Sequence, residues 1–332
     1  MAINKHLYFL WLSLAKTSAI RAKIITQTYG SVEEFWDAFT PAMEKGLGEA
    51  LFKRLLRYKN QSMLEDVYEK LSKENIVFFT EEDEIYPNLL KEVYDPPYAM
   101  YGKGNMKNLH IVNNIAIVGT RTPSNYAEQA AYRIARELAE KDIGVISGFA
   151  VGVDSAAHKG ALATDRGKTI AVLGSGMNID YPKTNHYLRK EMLEKGQGLF
   201  ICEYPPDTEP ASYHFPQRNR IISGISKGLL FVEGRIKSGG MVTVRHALDQ
   251  GKEVFALPGE IRRPGSEGPH TILREGARLI TSGQDILEDL GWMQTFLLKS
   301  NYPCPPRLFS FPMVRKKKYT PVYKKKIIHW IN

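Results

Sequence analysis

The chain has 332 residues, 43% of them hydrophobic, and two cysteines. This size favours one large domain with a smaller companion, and two distant cysteines exclude a disulfide framework or a thiolate metal site. The formal charge of +9 suggests nucleic acid, but residues 293–332 hold nine lysines and arginines and no acid, which leaves 36 basic and 36 acidic residues in 1–292. Any DNA affinity of those residues must come from local placement of charge.

The N-terminus has an apolar run, Leu7 to Leu14, that loosely resembles a secretion signal. The run contains Trp11 and Ser13 and continues into helical spacing, so we predict an amphipathic first helix instead. No stretch reaches the roughly 18 apolar residues that a membrane span needs. Together with the low cysteine content, this predicts a cytoplasmic protein without a membrane partner.

Residues 1–75 show short helical patterns, with Ser31 and Glu34 spaced as a helix start and Gly46-Leu47-Gly48 as a tight turn. A Gly-apolar-Gly hairpin between helices can hold a DNA phosphate, but a plain helical bundle with a glycine turn is the favoured interpretation. Residues 76–114 contain Tyr86-Pro87 and Pro96-Pro97, which predict an extended connector.

From Ile115 onward, apolar runs alternate with helix-length segments. This pattern predicts an α/β fold over residues 115–292, with a doubly wound, mostly parallel sheet covered on both faces. Its ligands should bind beyond the carboxyl ends of the strands, where small and polar residues cluster. Residues 293–332 have two interpretations, a flexible basic tail that adds nonspecific affinity or the product of an altered reading frame. The predicted strands are IAIVG, GVISG, TIAVLG, GLFICEY, GLLFVEG, EVFALPG and RLIT.

Common cofactor and catalytic motifs are incomplete in this chain. The turn at Gly119 lacks the further glycines of a dinucleotide fingerprint, and Leu162 stands where a P-loop needs its first glycine. Ser175 lacks the outer glycines of a nucleophile elbow. We therefore predict no NAD and no ATP bound through a P-loop, and we identify neither a motif for another cofactor nor an Asp/His pair that would make Ser175 a catalytic residue.

Asp154 and His158 stand four residues apart on one predicted helix, a spacing that could support a metal. A third ligand is not evident. We therefore predict that Asp154 caps the helix, that His158 packs beside it, and that the chain has no metal site.

The loop from Ser147 to Gly152 follows a predicted strand and opens into a helix at Asp154. Gly148 and Gly152 permit close approach of the backbone, and the helix start offers unpaired N–H groups and the positive end of its dipole. Arg121 ends a buried strand, where a guanidinium needs an anionic partner. The sequence predicts a two-sided phosphate clamp made of this loop and Arg121.

Other polar and aromatic residues at the rim have two interpretations. Arg218 and Arg220 could bind phosphate, or one of them could pair internally with Asp180, Glu203 or Glu233. Stacking on bases would favour single strands, but packing in the core is slightly favoured over stacking for the aromatic side chains near the rim. Those aromatic residues are Phe149, Tyr181 and Phe215.

Six ordered blocks carry a specific family resemblance: IAIVGTR (115–121), SGFAVGVDSAAHKGAL (147–162), GKTIAVLGSGMNIDYPKTN (167–185), FPQRNRIISGIS (215–226), VEGRIKSGGMVTVRHALDQGKEVFALPG (232–259) and EGPHTILREGARLI (267–280). They closely resemble the DprA/Smf family of DNA-processing proteins. The resemblance implies an extended Rossmann-like fold behind a small helical domain similar to SAM or helix-hairpin-helix modules.

The same resemblance implies a function. Such a protein would be a homodimeric, non-catalytic mediator that binds single-stranded DNA and protects incoming strands in natural transformation. It would help to load the RecA recombinase on DNA coated with single-strand-binding protein. Carried over position by position, the DNA-phosphate residues would be Arg121, Ser147, Gly148, Gly152, Lys183, Arg218, Asn219, Arg220, Ser238, Gly239 and Gly240.

Two departures from the family and two alternatives accompany this hypothesis. The chain ends in the basic tail where many members have a winged-helix-like domain, and Gly234-Arg235 follows Glu233 where small residues are usual.

The segment from Glu233 through SGGMVT also resembles, distantly, the nucleotide loop of lysine-decarboxylase-like phosphoribohydrolases, although Ser238 replaces a proline. A nucleotide-binding enzyme is therefore one alternative. The other is a binder of small nucleotides, which the neutral body favours.

Overall fold

The computed structural model describes residues 4–292, so the predicted basic tail lies outside the described residues. Helices and strands alternate through most of the described chain. The helices are α1 (Lys5–Leu14), α2 (Ala19–Tyr29), α3 (Val32–Ala38), α4 (Glu44–Leu47), α5 (Glu49–Tyr58), α6 (Gln61–Lys73), α7 (Asn88–Lys91), α8 (Asn125–Ala139), α9 (Val153–Leu162), α10 (His186–Glu194), α11 (His214–Gly224), α12 (Gly239–Asp249), α13 (Glu267–Arg274) and α14 (Gly283–Asp289). The strands are β1 (Val77–Thr80), β2 (Ala99–Gly104), β3 (Asn114–Val118), β4 (Gly144–Ser147), β5 (Thr169–Val172), β6 (Gly198–Cys202), β7 (Gly228–Phe231), β8 (Glu253–Ala256) and β9 (Arg278–Leu279).

The strands form one sheet in the order β1-β2-β6-β5-β4-β3-β7-β8-β9. Strands β3 to β9 run parallel to one another, and Ile115 of β3 lies between Val145 of β4 and Gly228 of β7. All seven predicted strands are present. The apolar side chains of β3 to β8 are buried by helices on both faces, whereas Leu279 of β9 is exposed. The predicted α/β fold with a mostly parallel sheet is confirmed.

The segment 76–114 differs from the predicted connector. It contributes β1 and β2, which pair antiparallel with each other, and β2 also pairs antiparallel with β6. Phe78, Phe79, Met100 and Tyr101 are buried in these strands. The prolines that suggested a linker lie between β1 and β2. The sheet therefore begins at Val77 and not at residue 115.

The helical N-terminus packs directly on the sheet. Leu10, Trp11 and Leu12 of α1 are fully buried, and the Trp11 indole N–H donates to the carbonyl of Leu55 at 2.8 Å. The hydroxyls of Ser13 and Tyr101 lie 2.8 Å apart and join α1 to β2. The predicted first helix is present as α1, but it is not amphipathic, since it is buried from Leu7 to Ser13 between other helices and the sheet.

Two helical layers cover the parallel strands. Ile115 and Ile117 of β3 face α8 and α9, whereas Ala116 and Val118 face the layer that holds α11 and α12. In residues 4–292 no helix combines the length and apolarity that crossing a membrane requires.

The connections place a topological switch point between β3 and β7. The chain runs outward from β3 through β4, β5 and β6, then returns to β7 on the other side of β3. The loops after β3, β4 and β7 meet there: the amide of Thr120 donates to the carbonyl of Glu233 at 2.7 Å, and the amide of Val153 donates to the carbonyl of Thr120 at 3.2 Å. Ligands of such sheets bind at this crevice.

Candidate functional site

An open pocket of about 360 Å³ lies at the switch point. A small second cavity adjoins it and shares Arg121, Phe215 and Arg218 as lining residues. The structure thus brings together six of the predicted site residues from three separate segments of sequence. Those that line the open pocket are Arg121, Arg218, Asn219, Ser238, Gly239 and Gly240.

The N-terminus of α12 opens into this pocket. Ser238 is its N-cap, and the buried Ser238 hydroxyl has no hydrogen-bond partner. Across the described chain, no acceptor is bound to the amides of Gly239 and Gly240. A side chain on Gly240 would meet the Phe231 ring at 2.7 Å, so the helix start lies close against the sheet. Free amides at the positive end of a helix dipole form an anion seat.

Arg121 lines the same pocket as this seat. Its side chain is exposed, and among residues 4–292 it forms no ion pair or hydrogen bond. The guanidinium lies 5.3 Å from the centre of the half-buried Phe215 ring. The loop that carries Arg121 packs closely against Gly152, where a side chain would lie only 2.6 Å from the carbonyl oxygen of Thr120. Arg121 is therefore an uncompensated cation held beside the open helix start.

The loop Ser147 to Gly152 differs from its prediction, since the protein itself fills the expected anion seat. The Asp154 carboxylate accepts hydrogen bonds from the amides of Gly148 at 3.1 Å and Ala150 at 3.2 Å. The buried Ser147 hydroxyl donates to the carbonyl of Ile117 at 2.6 Å. Ser147 and the amide of Gly148 therefore hold the loop together and are not available to a phosphate.

Arg218 completes this internal network. It is buried, and its guanidinium donates to the carbonyls of Gly148 at 2.5 Å and of Val172. Burial lowers the pKa of Arg218 to about 10, so the side chain stays charged at neutral pH, and the Asp154 carboxylate favours that charge. Burial raises the pKa of Asp154, and Arg218 opposes the rise. Arg218 therefore lines the pocket, but its guanidinium is hydrogen-bonded to the β4–α9 loop.

Arg220 turns away from the pocket. Its guanidinium bonds the Glu203 carboxylate at 2.6 Å, that of Asp95 at 2.9 Å and the carbonyl of Gln217 at 2.8 Å. The alternative of internal pairing with Glu203 is thus correct for Arg220, and its prediction as a phosphate-binding residue is corrected. Asn219 stays at the site, where its amide donates to the carbonyl of Gly239 at 3.3 Å.

Lys183 lies at the edge of the site. It is exposed and follows the cis peptide bond Tyr181-Pro182. Tyr181 and Pro182 line the small cavity, but Lys183 lines neither the small cavity nor the open pocket. The neighbouring Asn185 is a positioning residue that the sequence did not single out. Its buried amide donates to the carbonyl of Phe149 at 2.9 Å and thereby fixes the β4–α9 loop.

Glu233, the residue on which the enzyme alternative depends, is engaged elsewhere. One carboxylate oxygen accepts from the amide and hydroxyl of Ser124, the N-cap of α8, and the other pairs with Arg263 at 3.1 Å. The Glu233 carboxylate thus binds the N-cap residue of α8. The Asp154 carboxylate binds amides of the loop before α9 and does not cap that helix, so the prediction of Asp154 as a helix cap is wrong. The carboxylate that lines the open pocket is Asp154, bound as described above.

His158 is buried, and its Nδ1 lies 2.6 Å from the Thr169 hydroxyl. Burial lowers the pKa of His158 to about 3, so the ring is neutral at physiological pH. Within residues 4–292, no group of three or more histidine, cysteine, aspartate or glutamate side chains is arranged to hold a metal. Phe149 is buried in the core, as favoured, whereas Phe215 is half-buried at the rim beneath Arg121.

Sequence comparisons agree with this architecture. The model of the family described as DNA recombination-mediator protein A matches residues 77–291. Protein Smf of Escherichia coli is 46% identical over 209 residues, which cover 63% of this chain and 55% of that protein. DNA processing protein DprA of Bacillus subtilis is 40% identical over 205 residues, covering 62% of this chain and 68% of that protein. The chain thus spans about half the length of its Escherichia coli relative.

Two solved structures have similar folds. DprA from Streptococcus pneumoniae superposes with a TM-score of 0.73 at 32% identity, covering 87% of this chain and 98% of that one. DprA from Helicobacter pylori, described for its unique single-stranded DNA binding mode, has a TM-score of 0.58 at 31% identity and covers 65% of this chain and 96% of that one. With the family match over most of the sheet, these findings show that the chain belongs to the DNA recombination-mediator protein A family, whose members include DprA and Smf.

Proposed function

We propose that this protein binds single-stranded DNA by a phosphodiester group held between Arg121 and the N-terminus of α12. The observation that carries the proposal is the pairing of an exposed, uncompensated guanidinium with an open helix start in one pocket. A planar guanidinium fork and backbone amides both suit phosphate oxygens. Contacts to phosphate oxygens do not distinguish one base from another, so we expect little sequence preference.

The extension of this function to recombination is also a proposal. It rests on family membership and on the single-stranded DNA binding described for the Helicobacter pylori relative. On this basis the protein acts in the cytoplasm as a homodimer, protects incoming strands in natural transformation, and assists RecA loading on strands that carry single-strand-binding protein.

We infer further that the protein binds DNA without catalysing a reaction on it. Glu233, which a phosphoribohydrolase would need at the nucleotide, has both carboxylate oxygens engaged by Ser124 and Arg263. Incubation with nucleoside monophosphates should release free base no faster than buffer does. Faster release would support the nucleotide-binding enzyme instead.

The binding proposal is tested with Arg121→Ala and an oligo(dT) strand in a salt titration. We expect the variant to lose about tenfold or more in affinity, because it loses hydrogen bonds from a charged donor. The slope of log affinity against log salt should fall by about 0.7 for each phosphate of the single strand that the variant no longer neutralises. Fluorescence anisotropy measures both quantities.

Arg274→Ala is the matched control. Arg274 is exposed at the end of α13, just before β9 and therefore at the opposite edge of the sheet, and it forms no ion pair within the described chain. The control removes the same charge and should leave affinity near that of the parent. If Arg121→Ala binds like the parent, the clamp is wrong. A weak salt dependence in the parent would favour a seat for small nucleotides.

A further inference from the structure

The turn between β7 and α12 carries two cations that the candidate site does not use. The side chains of Arg235 and Lys237 are exposed, and within residues 4–292 neither forms an ion pair or a hydrogen bond. Neither lines the open pocket, but Ser238, the next residue, does. Because consecutive Cα atoms are about 3.8 Å apart, the Cα atoms of Lys237 and Arg235 lie within about 4 Å and 11 Å of that of Ser238. The two charges therefore lie directly beside the open start of α12.

Close packing beneath the turn directs these side chains to solvent. A side chain on Gly234 would meet the Phe231 ring at 2.7 Å and the Ser238 hydroxyl at 3.0 Å. The segment thus folds back on itself between Gly234 and Ser238. The residues between them, 235–237, are all exposed, including the apolar Ile236 at 39%. The turn therefore presents two cations beside one apolar side chain.

The loop after β8 adds a third cation to this surface. The amide of Gly234 donates to the carbonyl of Gly265 at 2.7 Å, which joins the two loops. Arg263 of the second loop pairs with Glu233 at 3.1 Å. The adjacent Arg262 is exposed and forms no ion pair or hydrogen bond with the part of the chain that the structure describes. The surface made by both loops thus carries three uncompensated cations.

The two loops together have an excess of positive charge. The β7–α12 loop, residues 232–238, and the β8–α13 loop, residues 257–266, hold four basic and two acidic residues, a net charge of +2. Of the two acids, Glu233 is buried and bound to Ser124 and Arg263, and Glu260 is exposed. Residues 1–292 are neutral as a whole, so these loops concentrate positive charge locally. Such a local excess attracts a polyanion.

We propose that the β7–α12 and β8–α13 loops form a second contact surface for the DNA backbone. A strand held at Arg121, a condition that rests on the proposed function, leaves the pocket past the start of α12 and places its next phosphates on this surface. Each nucleotide of a strand carries a phosphate, so anchoring one phosphodiester brings its neighbours to the adjoining cations. Lysine and arginine that neutralise phosphates release counterions, which favours binding at low salt.

The test removes the two charges of the turn and varies the length of the strand. Arg235→Gln combined with Lys237→Gln changes exposed side chains without partners, so the melting temperature should stay that of the parent. Lys107→Gln combined with Lys141→Gln is the matched control. Both lysines are exposed, lack side-chain partners in the described chain, and precede the amino ends of β3 and β4, whereas the pocket lies at the carboxyl ends. The probes are a base-labelled thymidine dinucleotide, which has one phosphodiester, and a long oligo(dT) strand.

Fluorescence anisotropy should show a loss on the long strand alone. The double variant of the turn should bind that strand about five- to tenfold more weakly than the parent. The slope of log affinity against log salt should fall by about 1.4, since each phosphate of a single strand contributes about 0.7. Affinity for the dinucleotide should not change. Arg262→Gln should give a smaller loss on the long strand, and the control should bind both probes like the parent.

Two results would overturn the inference. One is a double variant of the turn that binds the long strand like the control. The other is an equal loss on the dinucleotide and the long strand, which would place these cations at the clamped phosphate itself. Arg121→Ala on the same probes reports the clamp separately. If that variant binds like the parent while the double variant still loses the long strand, the proposed clamp fails and the second surface stands.

Discussion

Asp154 decides where an external anion can bind. A carboxylate in the first turn of a helix is a common stabilising feature, and from the sequence it indicates only a helix start. In the structure the same carboxylate accepts from the amides of Gly148 and Ala150, and its negative charge favours the charged form of the buried Arg218. One side chain thus substitutes for the phosphate that the loop was predicted to bind.

Removing that carboxylate should destabilise the protein strongly. Asp154→Ala leaves a buried guanidinium uncompensated and two amides without an acceptor, which typically costs about 3–5 kcal/mol. Asp154→Asn keeps one acceptor oxygen and should lose less. Urea denaturation followed by circular dichroism measures both losses. An Asp154→Ala variant as stable as the parent would show that the network contributes little.

At the scale of one element, α12 has the opposite arrangement. Its first residues are Gly239 and Gly240, and the described structure offers their amides no acceptor. Helix starts are normally capped by a side chain, so an uncapped start at the switch point has a stability cost that a bound anion can remove. The candidate site and the unsatisfied helix end are therefore the same feature.

Gly239→Asp should separate stability from binding. The position is exposed and a side chain there meets nothing within 4 Å, so the change is sterically tolerated. An acidic residue in the first turn should stabilise the helix by about 0.3–1 kcal/mol. The same charge should weaken single-strand affinity about tenfold or more by repelling phosphate. Thermal unfolding and anisotropy measure the two effects.

Gly239→Asn is the control, since it has nearly the same shape without the charge. It should retain most of the affinity. Equal losses for Asp and Asn would mean that size, and not charge, limits this position, and would argue against an anion seat at α12.

The sequence predicted the strands better than the side-chain directions. Strands β3 to β8 are short apolar runs between helix patterns, and that pattern is a direct result of burial on both faces, whereas both residues of β9 are exposed. Strands β1 and β2 were missed because the prolines at 87, 96 and 97 near them indicate a linker. Which of Arg218 and Arg220 pairs internally depends on packing against Glu203 and Gly148, which local sequence does not specify. In the structure Arg220 pairs with carboxylates, whereas Arg218 donates to backbone carbonyls.

At the scale of the whole molecule, the helical N-terminus and the sheet share one core. Buried side chains of α1, including Trp11, belong to the same apolar cluster as Phe149 and Phe200 of the sheet domain. The Ser13–Tyr101 hydrogen bond adds a polar link across this contact. The sequence suggested a separate small domain, since periodicity within residues 1–75 does not show what covers their apolar faces.

A shared core predicts a single unfolding transition for these two parts. Trp11 and Trp36 report on the N-terminal helices once Trp292 and Trp330 are replaced by phenylalanine, and circular dichroism reports on the whole fold. The two signals should follow coincident denaturation curves. An earlier fluorescence midpoint would show that the helices unfold independently of the sheet.

The open start of α12 limits the valency of one chain. Under the proposed clamp, one chain would hold a strand at a single phosphodiester, between Arg121 and the start of α12. Retention of a long strand then depends on how many copies engage it together, because each further copy binds at a high effective concentration. The apparent affinity for DNA should therefore increase with the length of the strand, and short fragments should dissociate first.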